Sequence, residues 1–120
     1  MSFEANDDVI EQVGYRLMAQ GVYFESVDKH ENRIEIEYET IASGEGVPHH
    51  QIGRMINIFR EAVEEGWEPT TIEATAVDGD GAIRGTWRMD VEWLHALEAG
   101  ELSEIDFSEH VLDSLDEPRV

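Results

Sequence analysis

The stretch Pro48–Gly66, with the sequence PHHQIGRMINIFREAVEEG, carries the longest apolar stripe in the chain. Its apolar side chains recur at spacings of three and four residues, which places them on one helical face. These residues are Ile52, Met55, Ile56, Phe59 and Val63. A proline in the first turn and a glycine after the last turn are typical helix boundaries. Strand-like segments lie on both sides, so we expect the core to form around this helix.

A second amphipathic helix precedes the first strands. Residues 1–6 are expected to form a loose arm, and the helix should begin where Asp8 and Glu11 have the spacing of a capping box. Its apolar stripe consists of Val9, Ile10, Val13 and Leu17. Gly21 is expected to end it.

Arg33–Ile41 alternates apolar and polar residues, the pattern of a strand with one buried face and one solvated face. Including it, four segments are predicted to be strands. They are Val22–Asp28, Arg33–Ile41, Thr70–Val77 and Ala82–Met89. The short connections Lys29–Asn32 and Asp78–Gly81 are predicted hairpin turns, the second because it contains Asp-Gly.

The order of these elements predicts an α+β fold. Each half of the chain shows a helix, a glycine stop and two strands, in the order αββαββ. We therefore expect one domain over residues 1–120, with a four-stranded antiparallel sheet and the helices on one face. A helical C-terminal extension is predicted over about residues 91–116. Asp90 would cap its first helix and Ser108 its second.

Acidic residues dominate the charge of the chain. Among 120 residues, 28 Asp and Glu face eight basic residues, of which only Lys29 is lysine, and the formal net charge is −20. Repulsion of this size destabilises a compact chain in dilute buffer. In molar salt the screening length falls to about 3 Å, which removes most of the repulsion. We expect the protein to need high salt, as in the cytosol of a salt-accumulating cell.

Charge and composition exclude several classes of partner and site. No basic stripe is available for direct binding of nucleic acid or an anionic membrane. No apolar run approaches the roughly 18 residues of a membrane span, and the N-terminal MSFEANDD lacks the regions of a signal peptide. Cysteine is absent, which excludes disulfides and thiolate metal sites. The expected location is cytoplasmic.

Three motifs approach a functional signature, and each is incomplete. The segment ASGEGVPH at residues 42–49 lacks the third glycine of a dinucleotide-binding loop. Asp78–Gly81 begins like a calcium loop, but Ala82, Ile83 and Met89 occupy positions that need ligands or glycine. The five histidines form no HExxH pattern. The sequence therefore predicts no catalytic residue, no cofactor and no metal, and the chain is not expected to be an enzyme.

Two groups of residues remain as candidate contact sites. The C-terminal helices carry large apolar residues that need something to cover, and we expect these to form an interface. They are Trp93, Leu94, Phe107 and Leu112. Arg84 and Arg88, which alternate onto one face of the last strand, are candidate contacts for an anion or an acidic partner. The alternative is that both arginines pair with neighbouring carboxylates such as Glu73.

The amino-acid sequence of the C-terminal region is similar to that of a known group of proteins. The run from Trp93-Leu94 through Ala99-Gly100-Glu101-Leu102-Ser103-Glu104 to Phe107-Ser108 and Val111-Leu112 resembles the C-terminal portion of small, uncharacterised acidic proteins of halophilic archaea. The resemblance covers about a quarter of the chain. It implies a high-salt environment and carries no catalytic residue across.

These observations predict a non-catalytic module that acts through protein–protein contacts, with a homodimer as the expected assembly. The alternative is a small-molecule-binding protein or enzyme with a pocket between the sheet and the helices. Polar side chains pointing inward would favour that alternative. A third possibility is a regulator that contacts nucleic acid through a partner.

Overall fold

The computed structural model describes residues 2–41 and 46–117, with side chains from residue 9 onward. Eight helices and strands follow one another along these residues. They are α1 (Ser2–Met18), β1 (Val22–Lys29), β2 (Arg33–Thr40), α2 (His49–Glu64), β3 (Thr71–Val77), β4 (Ile83–Met89), α3 (Val91–Glu98) and α4 (Glu104–Asp113). The α+β class and the four strands predicted from the sequence are confirmed.

The sheet is mixed, so the prediction of a purely antiparallel sheet is wrong. Its strand order is β1-β2-β3-β4. The two hairpins pair antiparallel, but β2 and β3 pair in parallel, with Ile36 opposite Ala74. The reason is α2, whose 16 residues span about 24 Å. This helix carries the chain back along the sheet, so β3 starts at the same end as β2.

One face of the sheet carries the core. Ile36, Ala74 and Trp87 are cross-strand neighbours, and each is buried. The positions between them carry charged residues such as Glu73 and Arg88, which are paired in register. Buried residues of both α1 and α2 belong to the same apolar cluster as this row. The helices therefore cover the apolar face and leave the charged face open.

Two helix starts differ from those predicted. The first helix begins at Ser2, so residues 2–6 are helical and Asp8 lies inside the helix. No proline or glycine interrupts these residues, and the helix continues through them. The last helix begins at Glu104, where Ser103 accepts a hydrogen bond from the Asp106 amide at 3.1 Å. Ser108, the predicted cap, lies within that helix.

The segment after α4 closes the outer edge of β4. Thr86 and Asp116 exchange both main-chain hydrogen bonds, at 2.9 and 2.8 Å. The Ser114 hydroxyl donates to the Arg88 carbonyl and accepts from the Arg88 amide. One edge of the sheet is therefore covered by the chain's own tail.

Close packing against Val47 and against the C-terminal tail makes Gly85 sensitive to substitution. A Cβ atom there would lie 2.6 Å from Val47 Cγ2 and 3.3 Å from the Asp116 carbonyl oxygen. We expect Gly85→Ala to lower the free energy of unfolding by about 1–3 kcal/mol. The matched control is Gly53→Ala in α2, where nothing lies within 4 Å and stability should rise by about 0.5–1 kcal/mol. Denaturant titration of both variants measures the contrast.

Candidate functional site

An apolar groove runs between α1 and β1, at the edge of the sheet opposite the tail. We call it the edge groove, and its volume is about 600 Å³. The residues that line it are Ile10, Glu11, Gly14, Tyr15, Met18, Phe24, Val27 and Lys29. Six of these eight carry no formal charge, and the other two carry opposite charges. The groove is therefore apolar and charge-balanced on a chain of net charge −20.

The position of α1 results from contacts on three sides. Val13 and Leu17 are buried against the core. On the flank towards α2, Arg16 donates to the Glu65 carboxylate at 2.9 and 3.0 Å. On the flank towards β1, a Cβ at Gly14 would lie 3.1 Å from the Phe24 ring, so glycine allows the helix to approach the strand. These contacts place α1 between α2 and β1, with the groove on the β1 side.

Exposed apolar side chains concentrate at this edge. Tyr15 is 63% exposed and Met18 47%, and both line the groove. Ile41, which is 65% exposed, lies beside Gly21 at the connection from α1 to β1. Among the described side chains, these are three of the five exposed large hydrophobic residues. Clusters of exposed apolar residues are typical of interaction surfaces. A single exposed apolar residue is common on protein surfaces and indicates no site.

The polar groups of the groove lie at its rim. The Tyr15 hydroxyl donates to the Glu11 carboxylate at 3.4 Å. Burial lowers the pKa of Lys29, the only lysine of the chain. A smaller cavity of about 150 Å³ adjoins the groove at Ile10 and Lys29 and extends to Trp67. These polar groups lie where they could orient a partner in the groove.

The predicted interface residues of the C-terminal helices lie elsewhere, and two of them are core residues. Leu94 and Phe107 are 0% and 1% exposed, so both belong to the core of the chain. Trp93 and Leu112 are partly buried against the core. The Trp93 ring stacks on His110 at 5.4 Å. A partner contact through Trp93 and Leu112 stays a prediction.

The two predicted arginine contacts do not form one site. A bulge places both Ile83 and Arg84 against Val77, which breaks the strict alternation of β4. Arg84 is only 8% exposed as a result, whereas half of the Arg88 side chain is accessible. The Arg88 guanidinium lies 5.2 Å from the centre of the Trp93 ring, a cation–π contact. A clamp made by both arginines on one face is therefore not formed.

The open face of the sheet holds a second cleft of about 440 Å³. Its walls are more polar than apolar, and four of the twelve lining residues are acidic, Glu35, Glu37 and Glu73 among them. Arg33 partly neutralises it through a contact of 2.8 Å with Glu73. Near its margin the neighbouring Glu25 carboxyl raises the pKa of Glu39. This face is a solvated, crowded acidic surface.

Inward-pointing polar side chains occur between the sheet and α2. The Trp87 indole N–H donates to the Tyr38 hydroxyl at 2.9 Å, and the Thr40 hydroxyl donates to Gln51 Oε1 at 2.7 Å. Tyr38, Thr40 and Gln51 are all buried. This is the feature expected for a ligand-binding pocket. Here these groups hydrogen-bond to one another, which satisfies buried polar atoms.

The burial of Tyr38 predicts an alkaline loss of stability. Burial raises the pKa of Tyr38 to about 12, with the Trp87 hydrogen bond acting in the opposite direction. Between about pH 10 and 12 the folded state keeps a proton that the unfolded state has lost, so stability falls as pH rises through this window. The loss is about 3 kcal/mol in total. Tyr38→Phe should flatten this pH dependence, and Tyr15→Phe, at an exposed position, should keep it in urea titrations.

Within the described residues, no group of three or more His, Asp or Glu side chains is placed to hold a metal ion. No helix there is long and apolar enough to cross a membrane.

Sequence reasoning missed the edge groove because it assigned each helix a single apolar stripe. Tyr15 and Met18 are apolar residues of the first helix that lie outside the stripe of Val13 and Leu17. A helix of a globular protein turns only one such face towards the core. The extra residues were therefore a signal for a second apolar surface.

Comparison with known proteins gives a family and no activity. A family model described as Domain of unknown function (DUF8159) matches residues 4–120. No curated protein and no solved structure matches the chain. The match spans both hairpins, the C-terminal helices and the edge groove. The chain belongs to the DUF8159 family of domains of unknown function.

Proposed function

We propose that this chain is a non-catalytic protein-interaction module that binds its partner at the edge groove. The observation that supports this function is the coincidence of an open strand edge with an apolar groove. β1 forms the outer edge of the sheet next to the groove. An open edge offers unpaired main-chain N–H and C=O groups to another strand. The groove beside it offers apolar side chains such as Tyr15 and Met18.

The two kinds of contact have separate roles in recognition. Main-chain hydrogen bonds along β1 would supply affinity with little dependence on sequence. Insertion of apolar side chains between Tyr15 and Phe24 would supply selectivity. The open acidic face contributes differently, because it repels acidic chains and keeps the module soluble. Binding is thereby directed to the edge groove, whose lining carries no net charge.

The environment proposed for this module is a salt-rich cytosol. The support is the net charge of −20 together with a single lysine. In high salt, apolar contacts contribute more to binding than long-range charge attraction does, because salt screens charges beyond a few ångströms. An apolar interaction surface therefore suits the chain better than an ionic one.

Site-specific photo-cross-linking tests the proposed function. A benzoylphenylalanine residue at position 15 would replace Tyr15, and the matched control would replace Ile105, an exposed apolar residue of α4. Full-length protein would be irradiated in a cell lysate at about 3 M KCl, where screening is strong. We expect discrete adducts at position 15 and fewer at position 105. Equal yields at the two positions would contradict the edge groove as an interaction surface.

A second candidate function is the binding of an apolar small molecule in the same groove. The volume of about 600 Å³ supports it, since ligand pockets range from about 300 to 1,000 Å³. This function would be favoured over the first by two results together. A fluorescent apolar probe would bind the wild-type protein but not Tyr15→Glu, and the cross-linking experiment would give no protein adduct.

A further inference from the structure

We infer that the occupant of the edge groove is a second copy of this chain, with the two β1 strands paired antiparallel about a two-fold axis. This inference rests on the proposed function, because it names the partner of the same surface. Its product would be a continuous sheet of eight strands. Both α1 helices would lie side by side on one face of that sheet.

The first argument comes from the two edges of the sheet. The β4 edge is occupied, because Asp116 exchanges hydrogen bonds with Thr86 and Ser114 binds Arg88. Addition of one copy's β1 to another copy's β4 would need this segment to leave. Such head-to-tail addition would also generate open filaments. Within residues 2–41 and 46–117 no segment pairs with the outer side of β1, so pairing of β1 with β1 displaces none of them and closes as a dimer.

The second argument is electrostatic. Two chains of net charge −20 repel each other, and repulsion is smallest where the facing surfaces are neutral. The lining of the edge groove contains one acidic and one basic residue, Glu11 and Lys29. The open face of the sheet, in contrast, carries Glu35, Glu37 and Glu73. On the groove side of β1 a second copy meets no net charge, and repulsion between the exposed Glu25 and Asp28 of the two strands is screened in molar salt. A strongly basic partner would instead favour the acidic face.

The third argument is the area available. The eight residues of β1 span about 26 Å. The helix and sheet layers together are about 20 Å thick. Pairing would bury about 500 Å² on each copy, or about 1,000 Å² in total, which is the lower limit for specific interfaces. The dimer should therefore form at high micromolar concentration and dissociate on dilution.

The geometry of the pair can be tested because the chain has no cysteine. Ser26 and Asp28 are exposed residues of β1 after the bulge at Phe24, and they lie on the open face of the sheet. Directly opposed residues of antiparallel strands have Cα atoms about 4.5–5.5 Å apart, a distance that suits a disulfide. The control is Glu73→Cys, on the same face but two strands further in.

The experiment compares Ser26→Cys, Asp28→Cys and Glu73→Cys as purified full-length proteins in about 3 M KCl, under mild oxidation and on dilution. We expect disulfide-linked dimers to form at least tenfold faster with a cysteine at one of the two β1 positions than with a cysteine at position 73. Equal rates at all three positions would overturn the inference. If benzoylphenylalanine at position 15 cross-links only to proteins that differ in mass from this chain, the proposed function stands and the second-copy inference fails. If Tyr15 gives no adduct above its control, both fail.

Discussion

Phe107→Ala is expected to lower the free energy of unfolding by about 3–5 kcal/mol, the usual cost of removing a buried phenylalanine. Phe107 is 1% exposed and belongs to the same apolar cluster as Leu94 and Met89. Its removal would leave a cavity that α4 cannot fill without leaving the sheet. The effect is a loss of stability that does not depend on protein concentration.

The control for this prediction lies two residues earlier. Ile105 is 73% exposed on the same helix, so Ile105→Ala should change stability by less than about 0.5 kcal/mol. Chemical denaturation of both variants at two protein concentrations measures the difference. If Phe107→Ala kept full stability but dissociated an oligomer, the C-terminal helices would be the interface and the edge groove would not.

Transfer from about 3 M to 0.1 M KCl is expected to remove most of the stability of the fold. The Debye length rises from about 2 Å to about 10 Å, so repulsion among the 28 acidic residues is screened much less. Total stabilities of domains are only about 5–15 kcal/mol, and a change of several kcal/mol is enough to populate the unfolded state. Circular dichroism during a salt titration should show a cooperative loss of structure.

A single substitution tests whether carboxylate crowding causes this salt dependence. The adjacent Glu25 carboxyl raises the pKa of Glu39, followed in effect by desolvation and by the charge of Asp78. Glu39→Gln should therefore raise stability at 0.1 M KCl and change it little at 3 M. The control is Glu35→Gln, because Glu35 accepts from Arg33 at 3.2 Å and removing its charge loses an attraction. Equal responses of the two variants would contradict local crowding as the cause.

Sequence patterns that involve only neighbouring residues predicted the helices and strands well. The stripe of Ile52, Met55 and Phe59 gave a helix that is buried where expected. Asp90 caps α3, accepting from the Glu92 amide at 2.9 Å. Both predictions depend on residues within four positions of one another, where local geometry dominates. The pairing of β2 with β3 depends instead on the path of the intervening helix, and the sequence pattern of each strand is the same for parallel and antiparallel neighbours.

The candidate site was less predictable because it depends on what remains uncovered after folding. The apolar residues of the C-terminal helices suggested an interface, yet Leu94 and Phe107 found their partners within the same chain. Tyr15 lies outside the core stripe of α1 and so indicated a second apolar surface, but only the packing of α1 on β1 places Tyr15 and Phe24 beside the same edge of the sheet. Alternation also misplaced Arg84, since one bulge residue is enough to reverse the face of a side chain.

Sedimentation velocity of the wild-type protein, Tyr15→Glu and Ile105→Glu in about 3 M KCl tests the edge groove most directly. Both substitutions add one negative charge at an exposed apolar position of a helix, so their effects on solubility and net charge are matched. At high micromolar concentration the wild-type protein and Ile105→Glu should sediment as dimers, and Tyr15→Glu as a folded monomer. A Tyr15→Glu variant that dimerises as strongly as Ile105→Glu would contradict the edge groove as the contact surface.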